Sequence, residues 1–192
     1  VAGAKYVITQ IRVGQMQARI EDERLGLRHN IIGQETTGVG GFACAIRTIP
    51  RILDVARAME ELAPDGYLLN FTNPAGIVTE AVLKHSKIKS VGLCNVPIGM
   101  IMETIKYFGG EVSDIELDYV GLNHLSWVRQ FKRKGEDITA GVLEKFFENA
   151  RSEWEHEITR NNMIGAMTSL NMFCNYYLQY FYSTDTVLET IK

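Results

Sequence analysis

Two segments of this sequence carry side chains that ligate metal ions. Cys94 lies in the segment Gly92–Pro97, directly after an apolar run, and His124 lies in Gly121–Leu125. A thiolate and a neutral imidazole are both common metal ligands. The two residues are too far apart in the sequence for a compact zinc signature. Each residue therefore also has a structural interpretation: Cys94 as a buried inert thiol, and His124 as a hydrogen-bonded core residue.

Two further segments combine polar side chains with a turn or with aromatic rings. Asn70–Pro74 follows an apolar run, which predicts a turn at the carboxyl end of a strand, where open α/β sheets bind their ligands. The alternative is a plain turn whose Asn caps the next helix. Asn175–Tyr182 contains four tyrosines and a phenylalanine. It is typical of a packed amphipathic helix, or of a tyrosinate base if a cation favours the ionised form.

Length and composition narrow the function classes. The 192 residues can bury the core of one large or two small domains, and the net charge of −3 comes without a run of Lys or Arg, so we expect no nucleic-acid partner. No apolar run reaches the roughly 18 residues that span a bilayer, and no signal peptide is recognisable, so we expect no membrane association. The three cysteines are an odd number and widely spread, which favours free thiols and a cytoplasmic protein.

The first part of the chain alternates short apolar strands with amphipathic helices. The predicted strands are 5–10, 67–71 and 89–93, and the predicted helices are 14–27, 42–62, 75–85 and 97–108. Pro50 is expected to kink or break the second helix, and the glycine-rich stretch 33–41 is expected to be a loop. Spacings of three and four predict the apolar face of that helix, which is formed by Phe42, Ile46, Ile49, Leu53, Ala56, Met59 and Leu62. The alternation predicts an α/β fold with a parallel, doubly wound sheet.

The pattern changes near residue 110. Ile115, Leu117 and Tyr119 alternate with acidic residues, as in a half-solvated strand. Trp127–Phe131 follows as a second strand, and the chain beyond Gly141 is mostly helical in pattern. We therefore predict a domain boundary at residue 110, with a mixed α+β region over residues 111–192.

Six segments together resemble family 4 of the glycoside hydrolases, in order and spacing over nearly the whole chain. They are 11–19, 33–38, 70–76, 94–97, 121–124 and 175–178, and Cys-Asn-Val-Pro at 94–97 is similar to the 6-phospho-β-glucosidase subgroup. The resemblance implies a Rossmann-like parallel sheet, similar to that of lactate and malate dehydrogenases. Residues 1–110 would be the C-terminal part of an NAD-binding domain, and 111–192 part of an α+β domain that binds substrate and metal. Because the family's chains are longer, we expect an internal segment, with the first strand and the Gly-rich pyrophosphate loop N-terminal to it.

The resemblance also implies roles for individual residues. Cys94 and His124 would hold a divalent metal, with Mn²⁺ preferred, and Tyr177 would be the base at C2 of the sugar, with Tyr180 as the second candidate. Arg19 would pair with the 6-phosphate of the substrate. The full set of predicted substrate contacts is Arg19, Asn73, Asn95 and Asn123, and the predicted NAD contacts are Glu35, Thr72 and Asn73.

The implied reaction is hydrolysis of a 6-phospho-β-glucoside by a homo-oligomer, either a dimer or a tetramer. The substrate would be a phosphorylated disaccharide or an aryl 6-phospho-β-glucoside. The reaction proceeds by redox elimination: NAD⁺ oxidises C3, a base removes the C2 proton, the C1–O bond breaks, water adds, and C3 is reduced again. The family is thereby an exception to the two-carboxylate mechanism of most glycosidases.

Asn95 selects the subgroup, because family members that cleave α-linked phosphoglucosides carry Asp after the metal-binding Cys. Gln179, where Arg is common, and Phe173-Cys174 before Asn175 depart from the subgroup pattern.

Two alternatives to the glycosidase stay open. One is an NAD-dependent 2-hydroxy-acid dehydrogenase with the same fold. The other is a fragment without turnover, since the chain lacks the Gly-x-Gly-x-x-Gly fingerprint of dinucleotide binding.

Overall fold

The computed structural model describes residues 2–192, apart from the side chains of residues 151–153. The chain divides into two compact units. Unit 1 ends at Cys94 and also includes Ile191–Lys192, and unit 2 is Asn95–Thr190. In the part of the chain that is described, no helix combines the length and the apolar composition that crossing a membrane requires. The predicted domain boundary at residue 110 stays a prediction.

Unit 1 is built on a parallel three-stranded sheet in the order β1-β2-β3. The strands are β1 (Tyr6–Thr9), β2 (Tyr67–Asn70) and β3 (Lys89–Gly92), and the pairs Thr9–Asn70 and Asn70–Gly92 stand in register at their carboxyl ends. All three predicted strands are present, and the predicted α/β fold class is confirmed. Leu68 of β2 is fully buried against the helices, whereas Tyr6, Ile8 and Val91 on the opposite face are exposed.

Three helices connect the strands of this sheet; the second and third pack on the sheet, and the first packs on the second. They are α1 (Gln15–Arg28), α2 (Gly38–Leu62) and α3 (Ala75–His85). The core between helices and sheet consists of Ile52, Ala56, Met59, Leu68, Val78, Val82 and Ile88. The predicted buried face of α2 is therefore only partly right: Ala56 and Met59 are buried, but Phe42, Ile46 and Leu62 are exposed. The helix is apolar on more than one side, and spacing alone cannot select the side that meets the sheet.

The expectations for the start and middle of α2 also need correction. The helix begins at Gly38, so the predicted loop ends four residues earlier than expected, and the helix runs through Pro50 without a break. A Cβ added to Gly40 would lie 2.4 Å from the Gln34 carbonyl oxygen and 2.8 Å from that of Asp22. Glycine is needed at this position for close backbone contact inside a helix, which composition alone does not distinguish from a loop.

Unit 2 contains an antiparallel sheet and most of the remaining helices. The strands β4 (Ile115–Leu122), β5 (Leu125–Arg133) and β6 (Glu136–Asp137) follow in that order, and β7 (Phe173–Cys174) also pairs with β5. Asp118 pairs with Gln130 and Tyr119 with Val128, so Arg129 is the extra residue of a β-bulge. The bulge keeps Val128 and Phe131 on the same face of the sheet.

Five helices lie wholly or mostly in unit 2, and the first two pack on that face. They are α4 (Val96–Phe108), α5 (Thr139–Glu153), α6 (Glu157–Leu170), α7 (Gln179–Tyr182) and α8 (Thr184–Ile191), with 3-10 turns at Val112–Asp114 and Tyr176–Leu178. One core cluster joins Trp154, Met163, Met167, Cys174 and Leu178, and a second joins Val128, Phe131 and Val142. The predicted helical character beyond Gly141 is thereby confirmed.

Candidate active site

Asn70 organises the carboxyl edge of the sheet in unit 1. Its side chain is completely buried. Its Oδ1 accepts hydrogen bonds from the Thr9 hydroxyl (2.9 Å) and from the Thr72 backbone N–H (3.0 Å). Its Nδ2 donates to the Thr72 carbonyl (3.1 Å) and to Oγ1 of Thr79 (3.2 Å). Every donor and acceptor of this amide therefore serves the protein itself. Asn70 fixes the loop that carries the predicted site residues.

Thr72 and Asn73 differ in what their side chains can reach. Thr72 is buried, and its hydroxyl oxygen accepts from the Ile11 backbone N–H (3.1 Å), which ties the loop after β2 to the loop after β1. Asn73 is half-buried and precedes Pro74 through a cis peptide bond, at the N-terminus of α3. Asn73 is thus the more accessible of the two, and both predicted NAD contacts stay predictions.

Glu35 and Arg19 form an ion-pair cluster at the loop before α2. The buried carboxylate of Glu35 pairs with the guanidinium of Arg12 and lies 3.7 Å from Nη1 of Arg19, whose Nε donates to Glu23 (2.9 Å). Arg19 keeps 36% of its side chain exposed. A partly exposed guanidinium that carboxylates hold in place suits the predicted contact with a phosphate.

Arg47 and Asp22 form a second ion pair in unit 1, which the sequence analysis did not identify. Arg47 donates to both carboxylate oxygens of the buried Asp22, with 3.0 Å from Nη1 to Oδ1, and through Nε to the Val13 carbonyl (2.9 Å). The Asp22 carboxylate raises the pKa of Arg47. This fork joins α2 to α1, the helix that carries Arg19.

His124 occupies a tight turn between β4 and β5 in unit 2. Leu122 pairs with Leu125, so Asn123 and His124 form a two-residue loop. His124 adopts a φ of +65°, a conformation that is uncommon but several-fold enriched in Asn, Asp and His. Gly121 has a φ of +109°, and a Cβ there would lie 2.4 Å from the Leu125 carbonyl oxygen. The Gly-Leu-Asn-His motif therefore encodes a turn that directs the imidazole inward, while Asn123 is exposed.

The structure brings two of the predicted site residues together. The ring of His124 stacks on that of Tyr177, with centroids 3.9 Å apart and planes 12° from parallel, and the ring of Tyr180 lies 5.7 Å from Tyr177. His124 is 7% exposed, and its burial lowers its pKa. Burial thus favours the neutral imidazole, the form that can donate a lone pair to a metal.

Asn175 positions Tyr177 through a network that the sequence analysis did not identify. Its Oδ1 accepts from the Tyr177 N–H (3.0 Å), and its Nδ2 donates to the Tyr119 hydroxyl (3.1 Å) and to Oγ of Ser126 (3.3 Å). The Ser126 hydroxyl in turn donates to that of Tyr119 (2.6 Å). Asn175, two residues before the predicted base, indicates a turn in the sequence. Its hydrogen-bond partners on β4 and β5 cannot be predicted from the local sequence.

The three cysteines have different surroundings. Cys44 and Cys174 are buried, Cys94 is half-buried two residues after β3, and none of these three described cysteines belongs to a disulfide, as expected. Burial raises the pKa of Cys174 to about 12, so that thiol stays neutral and is unsuited to metal binding. Asn95 follows Cys94 at the start of α4 and is exposed.

The donor set of the predicted metal site is a thiolate and an imidazole. Within the described residues, no group of three or more His, Cys, Asp and Glu side chains could hold a metal ion. Cys94 ends unit 1 and His124 lies in unit 2, so their shared metal stays a prediction. Two protein ligands leave coordination positions for sugar oxygens and water, as a catalytic rather than structural site requires. The neutral, inward-facing His124 fits that role.

The family 4 glycosyl hydrolase model matches residues 1–109. The chain belongs to family 4 of the glycosyl hydrolases. A second model, for the C-terminal domain of the same family, matches residues 119–192. The resemblance deduced from the six sequence segments is thereby confirmed.

Three relatives show how far this family 4 chain extends along its homologues. It is 42% identical to a probable 6-phospho-β-glucosidase from Bacillus subtilis (97% of this chain, 42% of the relative) and 40% identical to a 6-phospho-β-glucosidase from Escherichia coli (93% and 41%). A solved 6-phospho-β-glucosidase from Thermotoga maritima, with manganese, NAD⁺ and glucose-6-phosphate, superposes with a TM-score of 0.85 at 38% identity (100% and 44%). The chain thus spans less than half the length of the relatives it matches.

Proposed function

We propose that this chain forms part of the active site of an NAD- and Mn²⁺-dependent 6-phospho-β-glucosidase that works by redox elimination. The observation that carries the proposal is the stack of His124 on Tyr177, which places a candidate metal ligand against the candidate base. The named relatives support the substrate class, and family membership favours the glycosidase over the dehydrogenase alternative. The cytoplasmic location and the homo-oligomer belong to the same proposal.

Each residue has a defined task in this proposal. When bound, NAD⁺ and the divalent cation supply hydride transfer at C3 and polarisation of the sugar oxygens. Arg19 binds the 6-phosphate from helix α1, where Glu23 and Glu35 hold its guanidinium, and Asn73 orients the sugar hydroxyls from the loop that the buried Asn70 side chain holds in place. Tyr177 removes the proton from C2, and the electron pair left behind expels the aglycone from C1.

Two networks supply the required geometry. Asn175 fixes the backbone of Tyr177, and the positive-φ turn fixes His124 opposite its ring. Cys94 and His124 are the residues that would hold the cation, with Asn95 and Asn123 beside them in the chain. A cation at that position would favour tyrosinate over tyrosine at residue 177, which a base requires.

The deciding experiment measures both turnover and the fate of the C2 hydrogen. The chain is incubated in D₂O with NAD⁺, Mn²⁺, reductant and p-nitrophenyl 6-phospho-β-glucoside, with the Bacillus subtilis relative as the assay control. We expect nitrophenol release and deuterium at C2 of the product, because a base exchanges that proton with solvent. Displacement by two carboxylates would leave the C2 hydrogen in place.

The base is tested with a matched pair of variants. Tyr177→Phe should lower the rate by about 100-fold or more, the usual contribution of a general base, whereas Tyr180→Phe should retain most of the activity. Product without deuterium at C2 contradicts redox elimination. Equal activity of both variants rejects Tyr177 as the base, and no turnover under any condition leaves the alternative of a fragment without activity.

A further inference from the structure

Unit 2 contains an apolar cavity, partly open to the surface, that the proposed chemistry does not use. Its volume is about 240 Å³, and it lies between α4, α5, β5 and β7. Six of the residues that line it are aromatic: Tyr107, Phe131, Phe146, Trp154, Phe173 and Tyr176. Phe146 and Phe173 meet edge to face, with centroids 4.7 Å apart, so the wall is a packed aromatic cluster.

The polar groups of the cavity wall are neutral inside and charged only at the rim. Thr104 donates its hydroxyl to the Met100 carbonyl (2.8 Å), and the thiol of Cys174 is un-ionised. Glu103 is the one charged residue among those described that line the cavity; it is exposed and pairs with Lys106 (3.3 Å). The interior therefore favours an uncharged ligand.

The volume of the cavity matches an aromatic ring. A cavity of about 150 Å³ with an apolar lining is dry and holds benzene. This cavity is larger and carries more aromatic surface, so a substituted ring fits with space to spare. An apolar site of this kind gains affinity in proportion to the apolar area that the ligand buries.

The cavity also lies beside the proposed base. Tyr176 lines the cavity, and the centroid of its ring is 4.5 Å from that of Tyr177, which stacks on His124. Tyr177 acts at C2 of the sugar in the proposed mechanism, and the aglycone is bonded to the adjacent carbon, C1. A group attached at C1 therefore leaves from the immediate surroundings of Tyr177 and Tyr176.

We propose that this cavity binds the aglycone of the substrate, and that the preferred aglycone is a neutral aryl group. The proposal rests on the proposed function for the identity of the substrate. Its own basis is the juxtaposition of an aromatic cavity with the His124–Tyr177 stack. The neutral interior specifies an uncharged aglycone, and the aromatic wall specifies its shape.

A pair of glycine substitutions tests the site without damage to the fold. Gly99 lines the cavity and Gly165 does not; both are helical, and an added Cβ meets no atom within 4 Å at either position. Gly99→Leu adds a side chain to the lining of the cavity, whereas Gly165→Leu does not. Both changes replace a poor helix former with a good one, so both variants should fold at least as well as the parent.

Direct binding is measured with phenol as the probe. The ¹³C methyl resonance of Met100, which lines the cavity, is recorded during a phenol titration of the 192-residue chain. We expect the resonance to shift in the parent chain and in Gly165→Leu, and to stay unshifted in Gly99→Leu. Absence of a shift in the parent, or an equal shift in Gly99→Leu, overturns the assignment of the cavity.

Turnover then separates the cavity from the proposed function. Gly99→Leu should raise the KM for phenyl 6-phospho-β-glucoside by about tenfold, from the lost burial of the ring, and leave the KM for the methyl analogue unchanged. Equal KM changes for both substrates overturn the aglycone site while the proposed function stands. Phenol binding without turnover of either substrate overturns the aglycone assignment together with the proposed function.

Discussion

Asn175→Ala should weaken unit 2 and displace the candidate base. The side chain of Asn175 is completely buried and contributes one accepted and two donated hydrogen bonds. Its loss leaves the backbone N–H of Tyr177 without its acceptor. The hydroxyls of Tyr119 and Ser126 keep their mutual bond of 2.6 Å, so the damage concentrates at Tyr177.

The expected loss follows from these contacts. A buried N–H without an acceptor costs about 1–3 kcal/mol. The space vacated by the amide adds about 1 kcal/mol, because the surrounding core closes only partly. We therefore expect Asn175→Ala to lower the free energy of unfolding of unit 2 by about 2–4 kcal/mol.

Tryptophan fluorescence measures this change in unit 2 alone. The chain has two tryptophans, Trp127 on β5 and Trp154 after α5, and both belong to unit 2 and pack in the cluster that contains Leu178. Urea titration followed by their emission gives the midpoint and slope for parent and variant. The dependence of the free energy of unfolding on urea concentration should be the same in parent and variant if the substitution changes only stability.

Asn161→Ala is the matched control, since Asn161 is an exposed residue of α6. It should change the free energy of unfolding by less than about 0.5 kcal/mol, as surface substitutions usually do. If the free energies of unfolding of Asn175→Ala and Asn161→Ala differ by less than about 0.5 kcal/mol, the network does not hold Tyr177. The positioning role assigned to Asn175 is then wrong.

Two further substitutions test other statements about the fold. Pro50→Ala should raise the free energy of unfolding of unit 1 by up to about 3 kcal/mol, because Pro50 is exposed inside a continuous helix and lacks the N–H that the helix uses there. Urea unfolding followed by circular dichroism measures this change. A lower stability of the variant would show that Pro50 contributes packing instead. Thr139 and Gln130 hydrogen-bond the carboxylate of Asp137 and lower its pKa from 3.8 to about 2. The folded state therefore gains stability that is present above pH 4 and lost as pH falls through about 2. Asp137→Asn should reduce the difference between the free energies of unfolding at pH 7 and at pH 2.5, measured by fluorescence. An unchanged difference would show that Asp137 is not the source of this pH dependence.

Local patterns were sufficient to predict the strands and most helix boundaries. Short apolar runs identified β1 and β2, and the segment 89–93 identified β3 although Lys89 and Ser90 are polar. The buried face of α2 was predicted only in part, since Phe42 and Ile46 extend the apolar pattern to a side that the sheet does not meet. Gly40 was assigned to a loop because composition does not reveal that a neighbouring backbone lies too close for a Cβ.

The candidate site divides in the same way. His124 and Tyr177 were each identified from their motifs, and the structure adds the contact between them. Asn175, Ser126 and Tyr119 were missed as a network because they come from three separate strands and turns of unit 2. Such long-range hydrogen bonds depend on the pairing of β4, β5 and β7, which the local sequence does not encode.

The β-bulge at Arg129 makes the length of β5 as important as its composition. Ser126, in the network around Tyr177, and Phe131, in the wall of the cavity, share one face only because the bulge adds a residue between them. Deletion of that residue would restore regular alternation and turn the aromatic wall toward solvent while the hydroxyl stayed in place. A one-residue change in length would thus separate the hydrogen-bond network from the aromatic wall of the cavity.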